Sequence, residues 1–162
     1  MTLPFRVEVV RSTRRKKTVS ARLVGDVVRV QMPAWMSKAE EERYVAHLVD
    51  RIARQQRRGR VDVMARAMKL VEQFDLPTPK SVRWVSNQES LWGSCTIDAG
   101  DIRVSDRVAG YPPWVLDYVL VHELAHLAVP SHSQEFWAIV DRYPKAERAR
   151  GFLIAKGLDS ES

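Results

Sequence analysis

Cysteine is almost missing from this chain. Cys95 stands alone, so no internal disulfide can form and no disulfide framework supports the fold. That scarcity suits a reducing compartment. Long apolar runs are missing too: no stretch approaches the roughly 20 residues needed to cross a bilayer. The basic opening MTLPFRVEVVRSTRRKK has no apolar run behind it of the kind a secretory signal carries. The expectation is a cytoplasmic chain with no membrane partner. Seven glycines, eight prolines and no repeat or low-complexity tract exclude collagen-like and disordered classes, and 45% apolar residues leave enough material for a core. A large charge imbalance is also lacking. Lys+Arg of 26 against Asp+Glu of 20 gives +6, which permits contact with nucleic acid or acidic substrates without requiring it.

What is present reads as α+β. Residues 5–9, 19–23 and 28–32 alternate apolar and polar side chains as half-buried strands do, and Gly25-Asp26 between the last two is a hairpin signal. Ser37 and Glu40 form a capping-box pattern that opens a helix, with Glu41, Val45, Leu48 and Ile52 along one stripe. Gly59 marks its end or a kink. Val61, Met64, Met68 and Val71 continue helical spacing to about Phe74, and Pro77 and Pro79 make 75–80 the candidate linker. Short strands are expected at 82–85, 91–97 and 102–105, with a turn at 98–101. Pro112-Pro113 opens a helix running to about Ala128. Ser131 and Gln134 form a second capping box for a helix to about Tyr143, and a last helix spans about 145–156, with Gly157 past its end. The organisation is an N-terminal strand-and-helix region, 1–75, and a second region, 81–162, expected to fold together as one compact unit; the length fits one domain with a small N-terminal addition.

The chemistry is concentrated in Val121-His122-Glu123-Leu124-Ala125-His126. Histidines four apart lie one turn apart on one helix face, so two imidazoles reach one metal ion. Glu123 lies beside that face, placed to take a proton from a water the metal activates. A third ligand is then needed, with one position left open. His132 suits it: Pro130 stops the helix, the chain turns, and His132 falls near the start of the next helix. Three of the four histidines thus fall within eleven residues. A chance His-Glu-x-x-His match has neither an apolar helical setting nor a third histidine after a turn. Zinc is the expected metal.

At these residues the chain resembles the YgjP-like metallopeptidases, minimal zincins related to the SprT-like and WLM groups. The resemblance covers most of the chain. Residues 11–20 are similar to the family's basic strand entry, Trp92-Gly93-Ser94-Cys95 to its RWGSCS segment, residues 116–127 to its active-site helix, and His132-Ser133 with Phe136-Trp137 to its third-ligand segment. It implies zinc on His122, His126 and His132, Glu123 as acid/base, and a zincin-like α+β fold: an N-terminal β-hairpin and helix extension, a short antiparallel sheet and an active-site helix. Leu91 stands where the family usually has arginine and Ser105-Asp106 where it usually has Asn-Trp, which bears on substrate preference and not on the metal site.

Other positions carry a sharper and a plainer reading. Trp92, Gly93 and Ser94 are candidate substrate-binding residues, on a strand that borders the cleft and pairs with an extended peptide, Gly93 allowing close backbone approach; the alternative is a hairpin with Trp92 in the core. Cys95 reads as a small buried residue rather than a fourth ligand, His47 as a surface histidine, Tyr118 and Tyr143 as packing groups, and Phe136 and Trp137 as core. Arg11, Arg14, Arg15, Lys16 and Lys17 form one basic run and Arg51, Arg54, Arg57, Arg58 and Arg60 another; no aromatic residue interleaves with either in sequence. The expected activity is zinc-dependent peptide hydrolysis on a peptide or protein substrate. One rival is a metal-dependent ribonuclease of the YbeY type, which the basic balance suits, although Glu123 directly after His122 matches a peptidase base. The other is a non-catalytic module with structural zinc that binds nucleic acid or a partner, which a fourth ligand such as Cys95 would favour.

Overall fold

A computed structural model describes residues 5–88 and 91–157. They cluster in two compact units that divide between Gln56 and Arg57. Among the described residues no helix is long and apolar enough to cross a membrane.

In the first unit β1 (Arg6–Ser12), β2 (Ser20–Val24) and β3 (Val27–Pro33) form a sheet in the order β1-β3-β2, followed by α1 (Lys38–Arg58). The expected hairpin is β2-β3. Its two-residue loop places Gly25 at φ +64 and Asp26 at negative φ, the sign pattern of a type II′ turn that glycine meets without strain. β1 joins β3 in parallel. Period-2 alternation puts Val28, Val30 and Met32 in a core with Met36 and Val49, while Arg6, Arg22 and Arg29 take the outer face. The capping box at the start of α1 is present: the Glu40 amide donates to Ser37 Oγ (3.2 Å) and the Ser37 amide to Glu40 Oε2 (2.9 Å). Val45, Leu48 and Ile52 lie against the core as their spacing predicts, and Val49 and Ala53 are buried more deeply than any of them. Glu41, the fourth member of that stripe, instead pairs with Arg11 (2.5 Å) and Lys38 (3.2 Å).

The second unit holds α2 (Val63–Phe74), β4 (Ser81–Val85), β5 (Gly93–Thr96), β6 (Asp101–Ser105), a 3-10 turn at Asp106–Gly110, α3 (Pro113–His126), α4 (Gln134–Val140) and α5 (Ala146–Ala155). The 75–80 segment, read from its prolines as a linker, joins α2 to β4 inside this unit. In α2 the buried positions are Val63, Ala67 and Leu70, one residue out of phase with the expected stripe, and Met68 is 38% exposed. Ala67 at the centre lets the backbone approach its neighbours, with Met64 and Val71 flanking it as partly buried packing. The sheet order is β4-β6-β5. It is mixed rather than antiparallel: β5-β6 is the expected antiparallel pair, but β4 runs parallel to β6. β5 is therefore an edge strand.

α3 is apolar around most of its circumference, with Asp117, His122, Glu123 and His126 as its polar residues, the pattern of a helix largely sunk in a core. Ten of its residues are buried, among them Val115, Leu116, Val119, Leu120 and Leu124. Pro113 sits in its first turn, where a missing N–H costs nothing. Its end is two residues earlier than expected, because the Leu127 and Ala128 amides bond three residues back and tighten the last turn before Pro130. Truncating a residue such as Leu124 to alanine would cost about 2–5 kcal/mol. The next helix is capped by Ser133, whose Oγ accepts from the Phe136 amide (3.4 Å), not by Ser131 as the Ser-x-x-Gln pattern suggested. The Ser131 carbonyl instead accepts from the Ser133 amide (2.8 Å), which closes the turn that presents His132.

Candidate metal centre

Because α3 keeps helical geometry through residue 126, His122 and His126 project from one face one turn apart, and the turn after Pro130 brings His132 back to them. His126 Nε2 lies 3.1 Å from His132 Nε2, and His132 Nε2 lies 3.3 Å from His122 Nε2. Among the described residues these three form the one group of potential ligands gathered this closely, with donor atoms all within 4.8 Å of one another. Nitrogens bound at 2.0–2.1 Å to a tetrahedral zinc lie about 3.3 Å apart, so the spacing fits such an ion. Two ring lone pairs facing one another at that distance repel, and either a cation between them or a ring N–H donated from one to the other relieves the repulsion.

The His126 tautomer agrees. The Val129 carbonyl can only accept, so His126 Nδ1 carries the proton across their 3.2 Å hydrogen bond and Nε2 keeps its lone pair. His122 is 2% exposed, and burial, with its two histidine neighbours adding to it, holds its pKa down at about 3. Neutral imidazole is the form that binds a metal. Burial also lowers His126, against the opposing pull of the Val129 bond. Aromatic rings fix the orientations. Phe136 stacks on His126 (4.4 Å between centroids), Trp137 lies nearly parallel to the exposed His132 ring (23°), and Arg150 sits 4.3 Å over Trp137. Phe136 is buried in the core and Trp137 packs against it, as read from sequence, and both also form the packing shell of the histidine cluster. Helical spacing located them in sequence, but not their contact with rings on another element.

Glu123 is 4% exposed, and burial alone raises its carboxyl to about 8. A divalent cation at the histidines would draw it back down, since opposite charge favours the ionised form. Its neighbour is Gly93. A Cβ on Gly93 would meet Glu123 Cγ and Oε1, both at 3.1 Å, and the Arg103 carbonyl at 3.2 Å. The close approach that glycine permits here is therefore to the Glu123 side chain. A cleft of about 300 Å³ opens beside it, with Gly93, Ser94, Cys95, His122, Glu123 and His126 on its walls.

The three residues read as substrate-binding separate. Gly93 and Ser94 lie on the cleft wall, where Ser94 Oγ accepts from Gln88 Nε2 (2.8 Å). Trp92 contributes to the cleft lining, but it is 2% exposed and sits edge-on to Tyr118 and His122, under the metal-facing side of α3. Cys95 is half-buried and outside the ligand group, and burial, with Glu123 nearby, raises its thiol to about 11. The other tyrosine, Tyr143, donates its hydroxyl to the Trp114 carbonyl (2.8 Å) as a packing group does. His47 is exposed on α1.

The sequence model for the family described as YgjP-like, metallopeptidase domain, matches residues 36–154. Two solved structures share the fold. One is abylysin, a metallopeptidase zymogen of Pyrococcus abyssi, at 21% identity and TM-score 0.55 over 62% of this chain and 100% of that one. The other is jannalysin, a metallopeptidase zymogen of Methanocaldococcus jannaschii, at 15% identity and TM-score 0.51 over 59% of this chain and 97% of that one. No curated protein matches the chain significantly.

Proposed function

The chain belongs to the YgjP-like metallopeptidase domain family, and from that premise we propose that it hydrolyses peptide bonds with one zinc ion held by His122, His126 and His132 and with Glu123 as general base. The observation that carries the reading is the convergence of three Nε2 atoms, at 3.1 and 3.3 Å, beside a buried carboxylate. When bound, zinc polarises a scissile carbonyl and lowers the pKa of water towards ~7.

The protein's own groups do the rest. Glu123 accepts a proton from the attacking water at a carboxylate oxygen and delivers it to the departing amine nitrogen. The bare backbone of Gly93 forms the wall against which that carboxylate rests. The open edge of β5 offers N–H and C=O groups to an extended peptide, which adds to the sheet as a further strand; a peptide backbone needs no charged clamp there. The Val129 carbonyl and the Phe136 and Trp137 rings hold the imidazoles in their ligating orientations. A structural-zinc reading would need a fourth side-chain ligand, and Cys95 lies outside the group. The lone cysteine suits a reducing, cytoplasmic setting.

The test is metal analysis with proteolysis of a denatured-protein mixture, comparing the parent with Glu123→Gln. The variant should keep about one zinc per chain and lose cleavage. Cleavage at parental rate by the variant would overturn the role of Glu123, and a zinc-free parent would overturn the reading as a whole.

A further inference from the structure

We propose that the N-terminal unit is a docking surface for single-stranded nucleic acid, built from Trp35 and the cations around residues 14–22. The charge of the chain is partitioned sharply. Residues 1–36 hold eight of the 26 Lys+Arg and only Glu8 and Asp26 of the 20 acidic residues, a balance of +6; residues 37–162 hold the remaining 18 of each, a balance of zero. The whole net charge therefore lies ahead of the stretch matched to the metallopeptidase family, which begins at residue 36.

Within this unit the charge is largely unspent. Arg11 pairs with Glu41 and Arg29 with Glu8. Among the described residues, Arg6, Arg14, Arg15, Lys16, Lys17 and Arg22 have no carboxylate within ion-pair distance. Arg15 is held by neutral acceptors, Thr18 Oγ1 (3.2 Å) and Gln31 Oε1, which orient a guanidinium without discharging it. A hollow of about 260 Å³ lies on the outer face of the sheet between Ser20, Arg22, Arg29 and Gln31. Trp35 supplies what the basic run lacks in sequence. It is 64% exposed, and its indole N–H donates to the Lys16 carbonyl (2.9 Å), which anchors the ring to the basic loop. An exposed aromatic ring held in place among unpaired cations is the combination that binds nucleic acid strands: cations follow the phosphates and a base stacks on the ring. The cations lie on strands and a loop, not on a helix shaped for a major groove, and a stacking ring needs an unpaired base. An acyl layer would ask for a continuous apolar face, whereas Ser20, Arg22 and Gln31 interrupt this one.

This inference does not rest on the hydrolase reading. The test is fluorescence anisotropy of a labelled 12-nucleotide oligouridylate titrated with the full chain at several KCl concentrations. Binding should saturate, and log K should fall with log salt at a slope of about −3, as about four phosphate contacts would give. Trp35→Ala should weaken binding about tenfold while Trp35→Phe stays near the parent, since only the first removes the stacking ring. Lys16→Glu with Lys17→Glu should weaken it at least tenfold more than the charge-matched pair Lys69→Glu with Lys145→Glu. Equal losses in the two charge-matched pairs, an intact Trp35→Ala chain that binds like the parent, tighter binding to duplex RNA of the same length, or equal binding to phosphatidylserine vesicles would each overturn the proposal.

Discussion

The three histidines stand on supports of opposite kinds. His122 and His126 ride on a helix most of whose residues are buried, and His122 itself is enclosed by Trp92, Tyr118 and Phe136. His132 is exposed, on a short turn between α3 and α4, and its main restraint is a parallel Trp137 ring. A single set of candidate ligands thus draws on two sources of rigidity. The first pair is fixed by the core, at the cost of desolvating His122 and Glu123. The third is fixed by one stacking contact and a capped turn, and loses little when no metal is present.

Substitutions separate the two. His122→Ala should give the largest effect: zinc binding and cleavage lost, and the metal-free fold destabilised by about 2 kcal/mol through the cavity left beside Trp92, read by metal analysis and urea denaturation. Glu123→Gln should lower kcat by about 10²–10⁴-fold at unchanged zinc content. His132→Ala should abolish tight zinc binding in a chelator competition yet leave the metal-free chain within about 0.5 kcal/mol of the parent, as an exposed residue allows. A destabilisation equal to that of His122→Ala would break the comparison. Trp137→Ala should weaken zinc about tenfold and also cost the apo fold its packing on Phe136 and its contact with Arg150, read by urea denaturation.

The pH dependence of metal-free protein sharpens the same contrast. Glu123 ionises near 8 when folded against 4.5 when unfolded, so between those values the folded state holds the extra proton and stability falls as pH rises. His122 titrates near 3 when folded against 6.5 when unfolded, so between those values the unfolded state binds more protons and stability rises with pH. Denaturation midpoints should therefore climb from acid pH and then decline towards pH 8. Glu123→Gln should remove the decline and keep the climb; a decline that persists in that variant would refute the assignment.

Much of this site was legible in the sequence, because its signals are local. Four-residue spacing put His122 and His126 on one face, Pro130 forced the turn that returns His132, and Ser37 with Glu40 marked the start of α1 as drawn. Non-local features were not legible. The turn read at 98–101 announces the β5-β6 hairpin, but nothing between residues 85 and 101 signals that β4 lies parallel on the far side of β6. Ser131 fits the capping-box pattern and Ser133, with Phe136 three residues on, does not, yet Ser133 is the cap. Gly93 was read for the close approach it allows, but not that a Cβ there would meet Glu123, a neighbour thirty residues away. Trp35 lies far enough from Lys16 in sequence that the basic run looked free of aromatics, and the strand pairing brings the two together.

An unpaired sheet margin beside a cleft also invites other copies of the chain to zip onto it and seed insoluble stacks. β5 is only four residues long, Gly93–Thr96. So short a ledge presents few outward donors and acceptors, too few to nucleate a cross-β ribbon unaided. Lengthening that strand would offer more backbone groups to any extended chain, another copy of this one included, and so raise the tendency to aggregate.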